Sequence, residues 1–248
     1  MRTKTQMQIS SSIIAEIFIG QPCAYGPNSE ASAIQKQSIN HAVKVTTAGL
    51  HGDEQGDKLY HGGPDKAVHH YPAEHYALWR AQLGPDAAST FQPGGFGENI
   101  STTGWTEHTV CIGDVFAMGT ALLQVTQARQ PCWKLNLRFN HDHMASMVQN
   151  SLRTGWYYRV LQAGVVAQGD NLRLLDRVAP QWPLARLLHY LYLDTMNQHA
   201  LQAMAELGAL TPSWRKLAQN RLERGRVEDW SRRLMTPAVE FAASSTQA

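Results

Sequence analysis

The run Thr109-Val110-Cys111-Ile112-Gly113-Asp114-Val115-Phe116-Ala117-Met118-Gly119-Thr120-Ala121-Leu122-Leu123-Gln124-Val125-Thr126 decides how this chain reads. Three short β-type segments, Thr109–Ile112, Asp114–Met118 and Ala121–Thr126, alternate with turn chemistry, and Gly113-Asp114 reads as a tight reversal. The same texture extends in both directions, to Ala42–Thr46 before it and to Gly164–Ala167 and Asn171–Leu175 after it. Gly169-Asp170-Asn171 marks another reversal. Twelve of the 19 glycines fall between Gly49 and Gly119, so few stretches there are long enough for a helix. Strands this closely spaced predict a barrel or rolled sheet rather than βαβ units. Ile13–Ile19 reads as a first strand. Two helical insertions are expected, Pro72–Leu83, with proline in its first turn, and His141–Arg153, which precedes Gly155.

After Ala179-Pro180 the texture changes. Only Gly208 and Gly225 remain, and Leu, Ala, Arg and Gln dominate. Leu184, Leu187, Leu188 and Leu191 recur at helical spacing within Pro183–Leu193. Leu201–Leu207 predicts a second helix. Thr211-Pro212 opens a third, with Trp214, Leu217 and Leu222 along one side. The organisation expected is a lead with the first strand or strands over 1–40, a mainly β barrel-like domain with helical insertions over 41–180, a small three-helix domain over 181–235, and a disordered tail over 236–248.

Composition narrows the function classes. The 248 residues carry 22 basic and 20 acidic side chains, a net charge of +2, which gives no reason to expect nucleic acid. Residues 1–180 balance at 14 of each sign, whereas Thr211–Arg233 holds seven basic and three acidic. Three short helices with a basic face outline a helix-turn-helix, but so modest an excess is ordinary for a solvated helix face. No apolar stretch approaches the roughly 18–20 residues of a membrane helix. Met1–Gln8 and the Glu16-broken apolar segment after it do not make a signal peptide. Three cysteines do not make a disulfide scaffold. The expectation is a cytoplasmic globular protein with no membrane partner.

Four segments could carry chemistry. In His61-Gly62-Gly63-Pro64-Asp65-Lys66, the glycines allow successive amides to face one anion, Lys66 adds a positive charge and Asp65 can anchor the loop; a structural turn would need the same glycines. In Ala128-Arg129-Gln130-Pro131-Cys132-Trp133-Lys134-Leu135, proline ends a strand-like run and a thiol follows between two cations. That setting favours thiolate and makes Cys132 a candidate nucleophile or soft metal ligand at a partly accessible strand exit. Cys111 reads instead as a buried small hydrophobe in a strand, and Cys23 lies in a turn without cations. Phe96-Gly97-Glu98-Asn99 puts an acid and an amide after Gly94-Gly95, for orienting polar groups or for capping that turn. Arg159, among the aromatics of Gly155–Val160, could pair with an anion or form an internal salt bridge, for which Glu98 is one partner. Six of the 11 histidines fall between His41 and His75, and His70 and Glu74 would share a helix face. The spacings form no recognised zinc set, and Tyr71, Tyr76 and Trp79 suggest a packed helix instead.

The ordered series HGGPDKAV, FGEN, PCWKL and GWYYRVLQAGVV, from about residue 40 to 178, resembles the MOSC domain family, named for the C-terminal domain of molybdenum cofactor sulfurase. With a helical segment following, it is similar to the branch of 6-N-hydroxylaminopurine resistance proteins, apart from a slightly longer lead and tail. The resemblance implies a β-barrel-like fold and a molybdenum–pyranopterin cofactor, not pyridoxal phosphate, whose metal is ligated by the family's cysteine, here Cys132. Cofactor contacts are expected from His61, Gly63, Asp65, Lys66, Glu98, Asn99, Arg129, Lys134 and Arg159. It further implies reduction of N-hydroxylated bases to amines. Since no flavin or nicotinamide motif is present, a separate flavoprotein reductase would supply electrons. Two other readings stay open: a sulfur carrier with a persulfide on Cys132, and a non-enzymatic DNA or protein adaptor acting through residues 181–235.

Overall fold

The computed structural model describes residues 11–56, 62–84 and 89–239. The strands are β1 (Ser11–Ile13), β2 (Glu16–Ile19), β3 (Cys23–Tyr25), β4 (Glu30–Ser32), β5 (Gln37–Ile39), β6 (Val43–Thr46), β7 (Gly49–Leu50), β8 (Val68–Pro72), β9 (Ile100–Thr102), β10 (Val115–Met118), β11 (Ala121–Ala128), β12 (Trp156–Gln162), β13 (Gly164–Val166) and β14 (Asn171–Asp176). The helices are α1 (Glu74–Leu83), α2 (Lys134–Arg138), α3 (Met144–Ser151), α4 (Leu184–Tyr192), α5 (Gln198–Glu206), α6 (Pro212–Arg224) and α7 (Ser231–Leu234), with a 3-10 turn at Pro64–Lys66.

Nine strands form one sheet in the order β1-β14-β10-β11-β12-β8-β9-β2-β5, antiparallel except where β8 meets β9. β1 opens this order and β2 lies near its other end, yet only Ile14 and Ala15 separate them in the chain. The sheet must therefore curl until its ends approach, which gives a half-barrel. The single expected strand Ile13–Ile19 is consequently two: β1 pairs with β14, and β2 with β5 and β9. A second difference concerns Thr109–Ile112, which is no strand. Its donors are used elsewhere: Val110 N–H bonds Thr106 O, Cys111 N–H bonds Asp114 Oδ2, and Ile112 N–H bonds Trp182 O.

Alternation explains the core. On β10, Phe116 and Met118 point inward while Val115 and Ala117 are half-buried; Leu123 and Val125 continue the inward row on β11, Tyr158 and Val160 on β12, and Leu172 on β14. The first helical insertion begins at Glu74 rather than Pro72, since Val68–Pro72 is strand β8. His70 and Glu74 thus share no helix face. The second insertion is α3, and α2 precedes it without having been anticipated.

Leu184, Leu187, Leu188 and Leu191 are buried on α4 as the spacing predicted. α6 begins at Pro212 and ends at Gly225 in the left-handed region. Its buried stripe is Trp214, Ala218 and Arg221, whereas Leu222 is exposed. Arg221 fits inside because it is satisfied: Nη1 donates to Leu191 O (3.0 Å), Tyr190 O and Thr195 O, and Glu228 receives Nε (2.9 Å) and Nη2 (2.7 Å). One apolar cluster includes Phe116, Trp105 and Val110 of the barrel together with Leu187, Leu201 and Trp214 of the helices. The change of texture near residue 180 is not a break in the core.

Candidate functional site

The chain runs β11 into the loop 129–133 and then α2. A bulge at Thr126 sets which side chains follow the sheet to one face. Before it Leu123 faces Val160 and Val125 faces Tyr158; after it Gln127 faces Tyr157 and Ala128 faces Trp156. Thr126 is fastened by its own hydroxyl, which donates to Asp65 O (2.6 Å) and Tyr157 O (3.1 Å). On β8, Tyr157 pairs with His69 and Trp156 with His70. The row Gln127, Tyr157, His69 therefore shares one face, and Ala128, Trp156, His70 the other.

The two neighbouring histidines have different fates. His70 is a satisfied core residue, its ring nitrogens 3.0 Å from the Tyr158 and Thr102 hydroxyls, and burial pushes its pKa down to about 3. His69 lines a cavity. Burial and then the Arg129 charge hold it well below the usual imidazole range, so its ring is neutral, and its Nε2 has no hydrogen-bond partner among the described residues.

Beside His69 the wall forms a cavity whose mouth is open to solvent. Cys132, Lys66, Asn99, Arg129 and Lys134 all contribute to its wall, beside Lys36, Asp53, His69, Phe96 and Tyr157. Cys132 is only 8% exposed, less open than a strand exit suggested, because the loop is overlaid by neighbouring segments. Arg129 is buried, and its Nη1 likewise has no partner among the described residues. Lys36 forms a buried ion pair with Asp53, whose Oδ1 also accepts from Gly20 N–H and whose Oδ2 accepts from Asn99 Nδ2. Burial drives the Lys36 pKa down, with Asp53 opposing the shift. Asn99 Oδ1 accepts from His69 N–H (2.9 Å), so Lys36, Asp53, Asn99 and β8 form one connected polar wall.

Other expected contacts lie elsewhere. Arg159 pairs with Asp65 (Nη2 to Oδ1, 2.8 Å), not with Glu98, and neither member of that pair lines the cavity. Arg159 stands two residues beyond Tyr157 on β12, far enough along the strand to meet the 3-10 turn instead. Glu98 is fully buried and caps the turn before it, accepting from Gly94 N–H (2.7 Å), Phe96 N–H (3.1 Å) and the Tyr76 hydroxyl. Burial pushes its carboxyl up. Gly63, at φ +99°, opens the 3-10 turn and is outside the lining. His61 falls outside the described residues. Cys111 is buried and its thiol is pushed up to about 11 by burial, while Cys23 is exposed on β3. Lys36 and His69 were missed. His69 was legible in principle, because Val68-His69-His70-Tyr71 read as a strand separates the two rings by face; Lys36 carried no local signal.

The wall is suited to an anion bearing several acceptors: a buried guanidinium with one nitrogen unpartnered among the described residues, further cations, a neutral imidazole and a thiol meet in one concavity. Comparison with known proteins agrees with the shape. The MOSC domain model matches residues 57–173, and the YiiM-like 3-alpha helix domain model matches residues 182–225. The protein YiiM of Escherichia coli (strain K12) is 40% identical over 88% of this chain and 96% of its own. Its crystal structure superposes with a TM-score of 0.74 at 33% identity, covering 87% of this chain and 99% of that one. A Gibberella moniliformis (strain M3125 / FGSC 7600) protein called a reductase is 34% identical over 77% of this chain but only 34% of its own length. The chain belongs to the MOSC domain family, among its YiiM-like members with a 3-alpha helix domain.

Proposed function

We propose that this protein is a molybdenum-cofactor-dependent oxidoreductase that reduces N-hydroxylated compounds, such as 6-N-hydroxylaminopurine, to amines and so removes toxic base analogues. The observation that carries this reading is the meeting of Cys132 with buried, incompletely satisfied Arg129 and His69 in one cavity. A thiolate suits a soft, redox-active metal, and a buried guanidinium with an unused donor suits a phosphate. Molybdenum–pyranopterin, which members of this family are associated with, fits this donor set and would supply two-electron chemistry when bound.

The chain's own residues do the holding. Cys132 would ligate the metal, and Arg129, Lys66 and Lys134 would hold the phosphate. Lys134 Nζ already donates to Ala31 O (2.7 Å), so it contributes charge from a fixed place. The Tyr157 ring, its centroid 4.9 Å from that of His69 and tilted 33° to it, offers an aromatic face against which a base can lie. Neutral His69 offers hydrogen bonding without adding charge. The net reaction converts R–NHOH, two electrons and two protons into R–NH2 and water. A separate flavoprotein reductase would supply the electrons; the fungal relative called a reductase, of which this chain matches about a third, is compatible with such a division of labour.

The test is metal and pterin content of protein purified from a cofactor-competent host. Stoichiometric molybdenum and pterin that vanish in Cys132→Ala are expected. Absence from both proteins would overturn the proposal, and a Cys132 peptide heavier by one sulfur atom would then point to sulfur carriage.

A further inference from the structure

The backbone on both sides of Cys132 is tied to a residue a hundred positions away. Trp133 N–H donates to Arg233 O (2.7 Å), and Arg233 Nη1 donates to Pro131 O. The other arm of the same guanidinium, Nη2, donates to Gln149 Oε1 on α3, and the group lies 5.7 Å from the Tyr192 ring at the end of α4. The attachment continues down the chain: Asn136 Nδ2 donates to Leu234 O (2.9 Å) and Thr236 Oγ1 (3.3 Å), and Asn28 Nδ2 donates to Ala238 O (3.1 Å).

From the opposite side the hairpin β3–β4 grips the same loop. The Tyr25 hydroxyl donates to Lys134 O (3.3 Å), and Lys134 Nζ to Ala31 O. Gly26, at φ +94°, lets the turn lie so near Trp133 that a Cβ there would sit 2.7 Å from its ring. Residues 129–133 belong to no strand or helix, and Pro131 has no N–H to contribute. The loop's course is therefore set by what holds it from outside.

We propose that Arg233 is a positioning residue for Cys132: by bonding the peptide units before and after it, the C-terminal helical segment fixes how that thiol is presented to the cavity. The inference rests on Cys132 being the reactive residue of the proposed function, and it gives the helical region a task in the barrel's chemistry. It predicts that loosening the clamp changes Cys132 selectively while the core stays closed.

The experiment is site-resolved alkylation of the metal-free, full-length protein with iodoacetamide, quantified by peptide mass spectrometry. Exposed Cys23 serves as the internal reference and buried Cys111 reports on the fold. In Arg233→Ala the Cys132 to Cys23 labelling ratio should rise about fivefold or more with Cys111 still protected, as expected for local opening. A ratio within about twofold of wild type overturns the proposal. Should Cys111 become reactive in that variant, Arg233→Lys decides. It keeps the charge but lacks the fork that reaches Pro131 and Gln149 together, so an elevated Cys132 ratio supports the clamp and an unchanged one overturns it. No metal enters this assay, so its failure and a failure to find molybdenum are separate results.

Discussion

Arg129→Met should separate stability from binding in opposite directions. Arg129 is buried at the cavity wall with one guanidinium nitrogen lacking a partner among the described residues. Leaving a buried donor unsatisfied costs about 1–3 kcal/mol, against which the contacts of the remaining nitrogens must be set. Methionine fills similar volume without the charge. The ligand-free variant is therefore expected to be more stable by about 1 kcal/mol, a rise in Tm of about 2–4 °C for a chain of this size. Binding should move the other way. One charge-assisted bond in a water-poor site is worth about 2–3 kcal/mol, so the Kd for inorganic phosphate should rise about 30–150-fold. Calorimetric titration and thermal melting of the same samples measure both. A lowered Tm with unchanged phosphate affinity would refute the reasoning, because Arg129 would then serve the fold and not a ligand.

Three further outcomes concern the helices. Arg221→Met removes the guanidinium that joins α6 to the end of α4 and to Glu228, and should cost about 2–4 kcal/mol by denaturant titration. Burial pushes the Glu228 carboxyl up, but the Arg221 and Trp230 hydrogen bonds outweigh it and hold the group below its ordinary 4.5. That pair's contribution is thus fully present above about pH 4.5 and fades as pH falls through the lower folded-state value, so the wild-type advantage over Arg221→Met should shrink on acidification. Leu187→Ala should cost about 2–5 kcal/mol in a single transition with unchanged m-value. A separate early transition of the helices would contradict the shared core.

What could be read from residues alone was whatever is governed by neighbours in the chain. Short β segments, glycine reversals, the α4 stripe and the proline start of α6 depend on backbone sterics and on periods of two and 3.6, which a linear sequence displays. The cysteine between cations was legible for the same reason, and so was the family resemblance carried by ordered motifs. Partner choice was not. Arg159 satisfies Asp65 rather than a ligand, Glu98 caps its own turn, and Arg221 is buried, because each depends on which distant groups fold against it.

Tertiary structure decided the site's face and its frame. Side chains alternate along a strand, so a single bulge at Thr126 determines which residues of β11 stand beside Tyr157 and His69, and nothing local announces the bulge. The strand order β9-β2-β5 sets Asn99, just before β9, and Lys36, just before β5, at one end of the sheet, where Asp53 from the loop after β7 bonds both. The C-terminal segment reaches the Cys132 loop only because one continuous core seats the helices against the barrel. The sequence by itself determined which thiol has cations as neighbours; the fold alone determined what surrounds that thiol and what holds it there.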